Sequence, residues 1–221
     1  MTVSSPTPWR RAATADLRRR LTDLAAGRLE AGAALLRRYG RRVQGNGRTL
    51  VLGGVRSGKS RHAEELMAGH RHVLYLATGL PPSADDPEWA SRIAAHRARR
   101  PPYWRTVETA DLTGALREAR APVLIDCLGT WVSRVLDEVG AWQQEDGWQQ
   151  RVDERLQAFV DTWQATTVPA VAVTNEVGSG VVPGTVSGRI FRDVLGSLNT
   201  AVAANSDTVR LVVAGRMLDL R

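Results

Sequence analysis

The stretch Thr49–Ser60, TLVLGGVRSGKS, sets the reading of everything around it. Leu50 to Leu52 are a short apolar run that leads directly into glycines. From Gly53 the residues follow G-x-x-x-x-G-K-[ST]: Gly53, then Gly54, Val55, Arg56 and Ser57, then Gly58, Lys59 and Ser60. That is the pattern of a phosphate-binding loop. Its glycines let backbone N–H groups turn inward with no Cβ in the way. A helix that starts at its end offers the positive pole of its dipole to the same anion. Lys59 is placed to reach the β- and γ-phosphates, and the Ser60 hydroxyl to hold Mg²⁺. Of the 30 basic residues, 29 are arginine and Lys59 is the only lysine. A chain that uses arginine everywhere else keeps its one compact, flexible point charge in this loop.

Outward from the loop, strand and helix patterns alternate. Apolar runs predict strands at Leu50–Leu52, Val73–Ala77, Val123–Asp126, Ala170–Thr174 and Val209–Ala214, with Arg105–Glu108 as an additional short one. Helical periodicity falls at Gly58–Ala68, Glu88–Arg99, Leu112–Arg120, Thr130–Val139, Trp148–Thr166 and Arg189–Asn205. Apolar strands separated by helices imply βαβ units, hence an α/β domain with a mostly parallel sheet and helices on both faces. Ligands of such sheets bind beyond the carboxyl ends of the strands. Val73–Ala77 ends in Thr78-Gly79. Val123–Ile125 ends at Asp126, in the position of the acidic residue that supports Mg²⁺ at the end of a Walker B strand; such an Asp can equally cap the next helix. Ala170–Thr174 ends in Asn175-Glu176-Val177-Gly178-Ser179-Gly180, where Asn175 and Glu176 favour binding over an ordinary turn.

The net charge of +7 and the basic pI raise the question of nucleic acid. The distribution answers it. Met1 to Gly47 carries ten arginines against three acids, whereas the remainder balances 20 bases with 20 acids. The division expected is therefore residues 1–47, a basic extension, and residues 48–221, the catalytic domain, with no nucleic-acid partner. Met1–Pro8 is rich in Ser, Thr and Pro and reads as disordered. Leu17, Leu21 and Leu24 have helical spacing within a predicted helix from about Thr14 to Tyr39. A solvated helix, or sequence translated from too early a start codon, is favoured there over a basic arm for an acidic partner. Arg41 to Arg48, with Gly45-Asn46-Gly47, reads as a linker. The single cysteine, Cys127, excludes an intrachain disulfide and suits a reducing compartment. No run approaches the roughly 18 apolar residues of a membrane span, and Met1 to Arg11 lacks the apolar core of a secretory signal. The expectation is a cytoplasmic protein.

A further constellation is RIAAHRARRPPYWRTVE, Arg92 to Glu108. His96 stands among Arg92, Arg97, Arg99 and Arg100, cations that disfavour imidazolium and leave a neutral, nucleophilic ring. The arginines are also suited to phosphate oxygens. Pattern alone favours a solvated histidine on a basic face. His62, His70 and His72 have neither a cysteine partner nor zinc spacing.

Taken together, GGVRSGKSRHAEEL, YLATG, EWASRIAAHRARRPPYWRTVE, VLIDCLGTWVS, VTNEVGSGVVP and GRIFRDVLGSLNTAVAANSDTVRLVVAG resemble the bifunctional adenosylcobinamide kinase/adenosylcobinamide-phosphate guanylyltransferases of cobalamin biosynthesis. The resemblance runs from about Arg48 to Leu220, and the RIxxHR and TNEVGxGxVP segments are not general features of phosphate-loop proteins. It implies a RecA-like fold and a homo-oligomer, often a trimer. It implies phosphorylation of adenosylcobinamide by ATP or GTP with Mg²⁺, then transfer of GMP from GTP to adenosylcobinamide phosphate. It reverses the reading of His96, which falls on the family's guanylylated histidine. It places Gly53 to Ser60 on nucleotide phosphates, and Leu76, Ala77, Thr78, Arg97, Ala98, Arg99, Arg100, Glu108 and Asp126 at nucleotide-contacting positions. Which of Asp126 and Glu108 meets metal and which meets guanine stays open in the sequence. The basic extension and the proline-rich loop Leu80–Pro87 depart from the family pattern. The competing enzyme reading is a generic small-molecule phosphoryl kinase in which His96 is a bystander.

Overall fold

All six expected strands and all six expected helices of the catalytic part form, in the expected order. In the computed structural model the described residues are 47–80 and 86–220, the Arg92 side chain excepted. The expected disordered Met1–Pro8, the helix at Thr14–Tyr39, most of the linker and residues 81–85 of the proline-rich loop lie outside them. Every element below belongs to the second of the chain's two units, Gly45–Arg221.

The strands are β1 (Arg48–Gly53), β2 (Leu74–Ala77), β3 (Arg105–Glu108), β4 (Val123–Asp126), β5 (Ala170–Asn175), β6 (Thr208–Val213) and β7 (Arg216–Asp219). The helices are α1 (Lys59–Met67), α2 (Pro87–Arg99), α3 (Leu112–Glu118), α4 (Leu128–Glu138), α5 (Trp148–Ala165) and α6 (Val186–Ala204). They build one sheet in the order β3-β2-β4-β5-β1-β6-β7, parallel throughout except for the last pair. Period-two alternation divides the strand side chains between two cores. Leu50, Leu52, Leu76, Val123, Ile125, Ala170 and Ala172 pack against α3, α4, α5 and α6. Val51, Val73, Tyr75, Leu124, Val171 and Val173 face Ala63 and Met67 of α1. Strands buried on both faces must be apolar along their whole length, which is why they read as runs rather than alternations.

Strand β7 is not legible in the sequence reading, which carries the last strand on to Ala214. The chain instead reverses at Ala214 and Gly215, both at positive φ (50° and 73°), the geometry of a two-residue hairpin turn. Strand β7, Arg216-Met217-Leu218-Asp219, covers the sheet's edge and is exposed throughout. The hairpin also supports the phosphate loop, because Gly215 N–H donates to the Ser57 carbonyl at 2.8 Å.

The amino end of the sheet is closed by an ion pair. Arg48, at the start of β1, meets Asp207 at 3.3 Å, and both side chains are buried. Asp207 also accepts the Arg48 backbone N–H at 2.9 Å, while the guanidinium donates to the carbonyls of Trp163 and Gln164 at the end of α5.

Register brings the carboxyl ends of five strands into line. Gly53 pairs with Asn175, Asp126 with Val173, and Ala77 with both Asp126 and Glu108. The ends form the rim of a cleft.

Candidate active site

The phosphate loop leaves β1 at Gly53, where only glycine fits. A Cβ there would stand 2.4 Å from Ser57 Oγ and 2.7 Å from the Val212 carbonyl. Gly58 precedes α1 at φ 95°, a left-handed conformation that L side chains resist. Lys59 then opens the helix, its Nζ 3.1 Å from the Gly54 carbonyl, and Ser60 Oγ donates to Asp126 Oδ1 at 3.2 Å. The sequence pairing of loop serine and strand-terminal aspartate is thus realised across 66 residues.

Asp126 is the hub of the cleft. Its Oδ2 accepts the Tyr75 hydroxyl at 2.7 Å and lies 3.2 Å from His96 Nδ1. Its side chain is 8% exposed, against 30% for His96. Burial alone would push this carboxyl up; the hydrogen bonds from His96, Tyr75 and Ser60, with the nearby imidazole charge, outweigh it and hold the group below its ordinary value. Burial, and next the Asp126 carboxylate, push the Tyr75 phenol well above its own.

Helix α2 delivers His96. It starts on Pro87, capped by Asp86, whose carboxylate accepts from Trp89 N–H at 2.9 Å. Its last turn and C-cap bring three arginines, each engaged. Arg97 pairs with Glu108. Arg99 forks onto both Glu64 oxygens at 3.0 and 3.1 Å. Arg100 sits 3.8 Å above the Tyr75 ring and donates to the His96 carbonyl at 3.0 Å and to Thr106 Oγ1 at 2.9 Å. With the arginines so engaged, the charged group 3.2 Å from the ring is the Asp126 carboxylate.

The cleft encloses about 280 Å³. Of the expected residues, Val55, Lys59, Ser60, Ala77, His96, Arg97, Arg100, Glu108 and Asp126 line it. Leu76 is fully buried in the core. Thr78 is fully buried too, its hydroxyl bonded to the Cys127 carbonyl and Thr130; neither residue lines the cleft. Ala98 and Arg99 do not line the cleft, and Arg56 points at Glu88, 3.9 Å away. Asn175 lines it, but Glu176 is turned onto its own loop, where its carboxylate accepts from Gly178 and Ser179 N–H. Sequence reasoning missed Tyr75, Thr106 and the apolar wall of Leu80, Trp89 and Ile93. One signal for that wall was available: Gly79 admits no Cβ because Trp89 Cζ2 would lie 2.5 Å from it.

Among the described residues there is no group of three or more His, Cys, Asp or Glu that could hold a metal unaided. The pair formed by Ser60 Oγ and Asp126 Oδ1 supplies hard oxygen donors beside the phosphate loop, which fits a Mg²⁺ whose other ligands are phosphate oxygens and water. No helix among the described residues is long and apolar enough to cross a membrane.

Comparison with known proteins places residues 49–220 on a family described as cobinamide kinase / cobinamide phosphate guanyltransferase. The chain is 40% identical over 175 residues to the bifunctional adenosylcobalamin biosynthesis protein CobU of Escherichia coli (strain K12), covering 75% of this chain and 95% of that protein. It is 39% identical over 181 residues to the bifunctional adenosylcobalamin biosynthesis protein CobP of Pseudomonas aeruginosa, covering 79% and 97%. A solved structure of a prototypical ATPase from the type III secretion system of pathogenic bacteria matches with a TM-score of 0.50 at 12% identity, over 76% of this chain and 51% of that one. That last likeness is one of fold alone.

Proposed function

The chain belongs to the cobinamide kinase / cobinamide phosphate guanyltransferase family, and we propose that both of its reactions run in the one cleft at the carboxyl edge of the sheet. The protein is a bifunctional kinase and guanylyltransferase of cobalamin biosynthesis that binds nucleotide. In the first reaction the aminopropanol hydroxyl of adenosylcobinamide attacks the γ-phosphorus of ATP or GTP. The bond from that phosphorus to the β,γ-bridging oxygen breaks, and the nucleoside diphosphate leaves. Gly53 to Ser60 hold the phosphates by backbone N–H groups, and Lys59 lies against the oxygens that gain charge. Ser60 and Asp126 are the residues that would hold Mg²⁺, which would neutralise charge on the phosphates.

The second reaction uses His96. Asp126 Oδ2 accepts Nδ1–H, so the lone pair stands on Nε2. Nε2 attacks the α-phosphorus of GTP, the bond to the α,β-bridging oxygen breaks, and pyrophosphate leaves. A phosphate oxygen of adenosylcobinamide phosphate then attacks the same phosphorus, the P–N bond breaks, and its electron pair returns to Nε2. Two displacements replace one, and adenosylcobinamide-GDP is released. Positive charge that grows on the imidazole in the first is matched by the buried carboxylate behind it. Glu108, on the edge strand and paired with Arg97, takes the guanine, whose N1–H and amino group suit a carboxylate acceptor. This divides the roles left open in the sequence: Asp126 to metal and histidine, Glu108 to base.

The remaining parts of the proposal are a cytoplasmic homo-oligomer, tested first as a trimer, with no nucleic-acid partner. Exposed Val181 and Val182, 95% and 60% accessible, are apolar surface available to such an assembly.

The observation that carries the reading is His96 Nδ1 held by Asp126 beside the phosphate loop. The test is His96→Ala and His96→Asn with α-labelled GTP. Both variants should lose the acid-labile adduct and adenosylcobinamide-GDP while still phosphorylating adenosylcobinamide, because phosphoryl transfer needs no protein nucleophile. An adduct that persists in His96→Ala refutes the assignment.

A further inference from the structure

Tyr75 is a buried aromatic whose neighbours ask only for a ring. Val51, Val73, Trp104, Leu124 and Val171 share its cluster, and 2% of its surface is exposed. Phenylalanine would pack there as well without a hydroxyl to satisfy. Yet the hydroxyl reaches the rim of the cleft and donates to Asp126 Oδ2 at 2.7 Å, the same oxygen that holds His96 Nδ1. The ring face meanwhile carries the Arg100 guanidinium at 3.8 Å, and Arg100 in turn donates to the His96 backbone carbonyl at 3.0 Å. One side chain therefore supports the histidine twice, at its imidazole through a carboxylate and at its backbone through an arginine.

We propose that Tyr75 is a positioning residue for guanylyl transfer, fixing the tautomer and aim of His96 through Asp126 and the last turn of α2 through Arg100. This rests on the reading of His96 as the guanylylated residue. Asp126 faces two claims, the Ser60 hydroxyl on Oδ1 and the imidazole on Oδ2. A carboxylate with only those partners is free to rotate toward Ser60 and release Nδ1. The tyrosine hydroxyl is a third donor, fixed by a packed ring, and it holds Oδ2 toward the histidine. The chain of hydroxyl, carboxylate and imidazole is the outer support that keeps a ligating or attacking histidine in one tautomer.

The experiment compares Tyr75→Phe, Tyr75→Leu and wild type by single-turnover labelling with α-labelled GTP, by kinase rate, and by nitrogen NMR of the ¹⁵N-histidine-labelled protein. Tyr75→Phe keeps the ring and its cation contact and loses only the hydroxyl. It should acquire label about 10- to 100-fold more slowly, with kinase activity falling less. Its His96 nitrogen signals should move from the Nδ1–H form toward a tautomer mixture. Tyr75→Leu removes the ring face as well and should label more slowly still. Labelling of Tyr75→Phe within about twofold of wild type, or unchanged His96 nitrogen signals, overturns the proposal. So does an equal loss of both activities in Tyr75→Phe. Absence of label in wild type itself would refute the reading of His96 and, with it, this role of Tyr75.

Discussion

Replacing Asp126 separates its structural role from its chemical one, because two substitutions load the site differently. The carboxylate accepts from Ser60, Tyr75 and His96 and is almost wholly buried. Asp126→Asn can place its carbonyl at the Oδ2 position, where Tyr75 and His96 still find an acceptor, and its amide toward Ser60 Oγ, which can accept. Three charge-assisted hydrogen bonds become neutral ones at about 1 kcal/mol each, or about 3 kcal/mol together. Relief from burying a carboxylate offsets this by an amount of the same order, so stability should shift by less than about 2 kcal/mol. Asp126→Ala instead strands the Tyr75 hydroxyl and the His96 N–H, at about 1–3 kcal/mol apiece, and should lose about 2–6 kcal/mol. Guanylylation should fall in both variants alike. Both lose the anion behind the imidazole, and loss of an equivalent carboxylate elsewhere costs up to about 10⁴ in rate. The expected fall is about 10²- to 10⁴-fold, which is about 2.7–5.5 kcal/mol of barrier. Urea unfolding followed by tryptophan fluorescence gives the first quantity, and single-turnover labelling by α-labelled GTP gives the second. Asp126→Asn that labels within about threefold of wild type refutes the electrostatic role. Asp126→Ala as stable as Asp126→Asn refutes the hydrogen-bond hub.

Lys59→Ala should lower both the kinase and the guanylylation rates by about 10²- to 10³-fold, and Lys59→Arg should rescue neither, since a planar fork does not replace a point charge; wild-type kinase activity in Lys59→Ala would remove the loop from the mechanism. Deletion of residues 1–44 should leave a folded, active enzyme, whereas a deletion that continues through Arg48 should lower Tm, because Arg48 is buried against Asp207 and the Gly47 carbonyl accepts Ala170 N–H at 3.2 Å; loss of both activities in the shorter deletion would tie the extension to catalysis. The Cys127 thiol lines the cleft, and burial first, then the Asp126 carboxylate, push it above its ordinary value of 9.0. A raised pKa means less thiolate at a given pH, so alkylation by iodoacetamide at pH 8 should be slower than for free cysteine and should climb only at higher pH; labelling as fast as that of the free amino acid would contradict this.

Much of this molecule is written locally in the chain. The phosphate loop is legible because its constraints are backbone constraints on adjacent residues: Gly53 must be glycine to clear Ser57 and Val212, and Gly58 to adopt a positive φ. The strands and helices are legible because burial on both sheet faces and on one helix face imposes different periods on the same apolar residues. Even Asp126 is marked, as the last residue of an apolar run. What the order of residues does not contain is which of these ends meet. His96 reads as a histidine among arginines, and only the folded chain puts its ring on Asp126 and occupies those arginines with Glu64, Glu108 and Tyr75. Tyr75 reads as one more apolar position of a buried strand until its hydroxyl is seen at the rim. Glu176 reads as a ligand until its loop closes on it. The hairpin at Ala214 and Gly215 lacks the Asn-Gly signal that would announce it, and its hydrogen bond to the Ser57 carbonyl joins residues far apart in the chain. Sequence determines the groups available and the elements that carry them. Their chemistry depends on distances between residues far apart in the chain, and those exist only once the sheet has set its strand order and register.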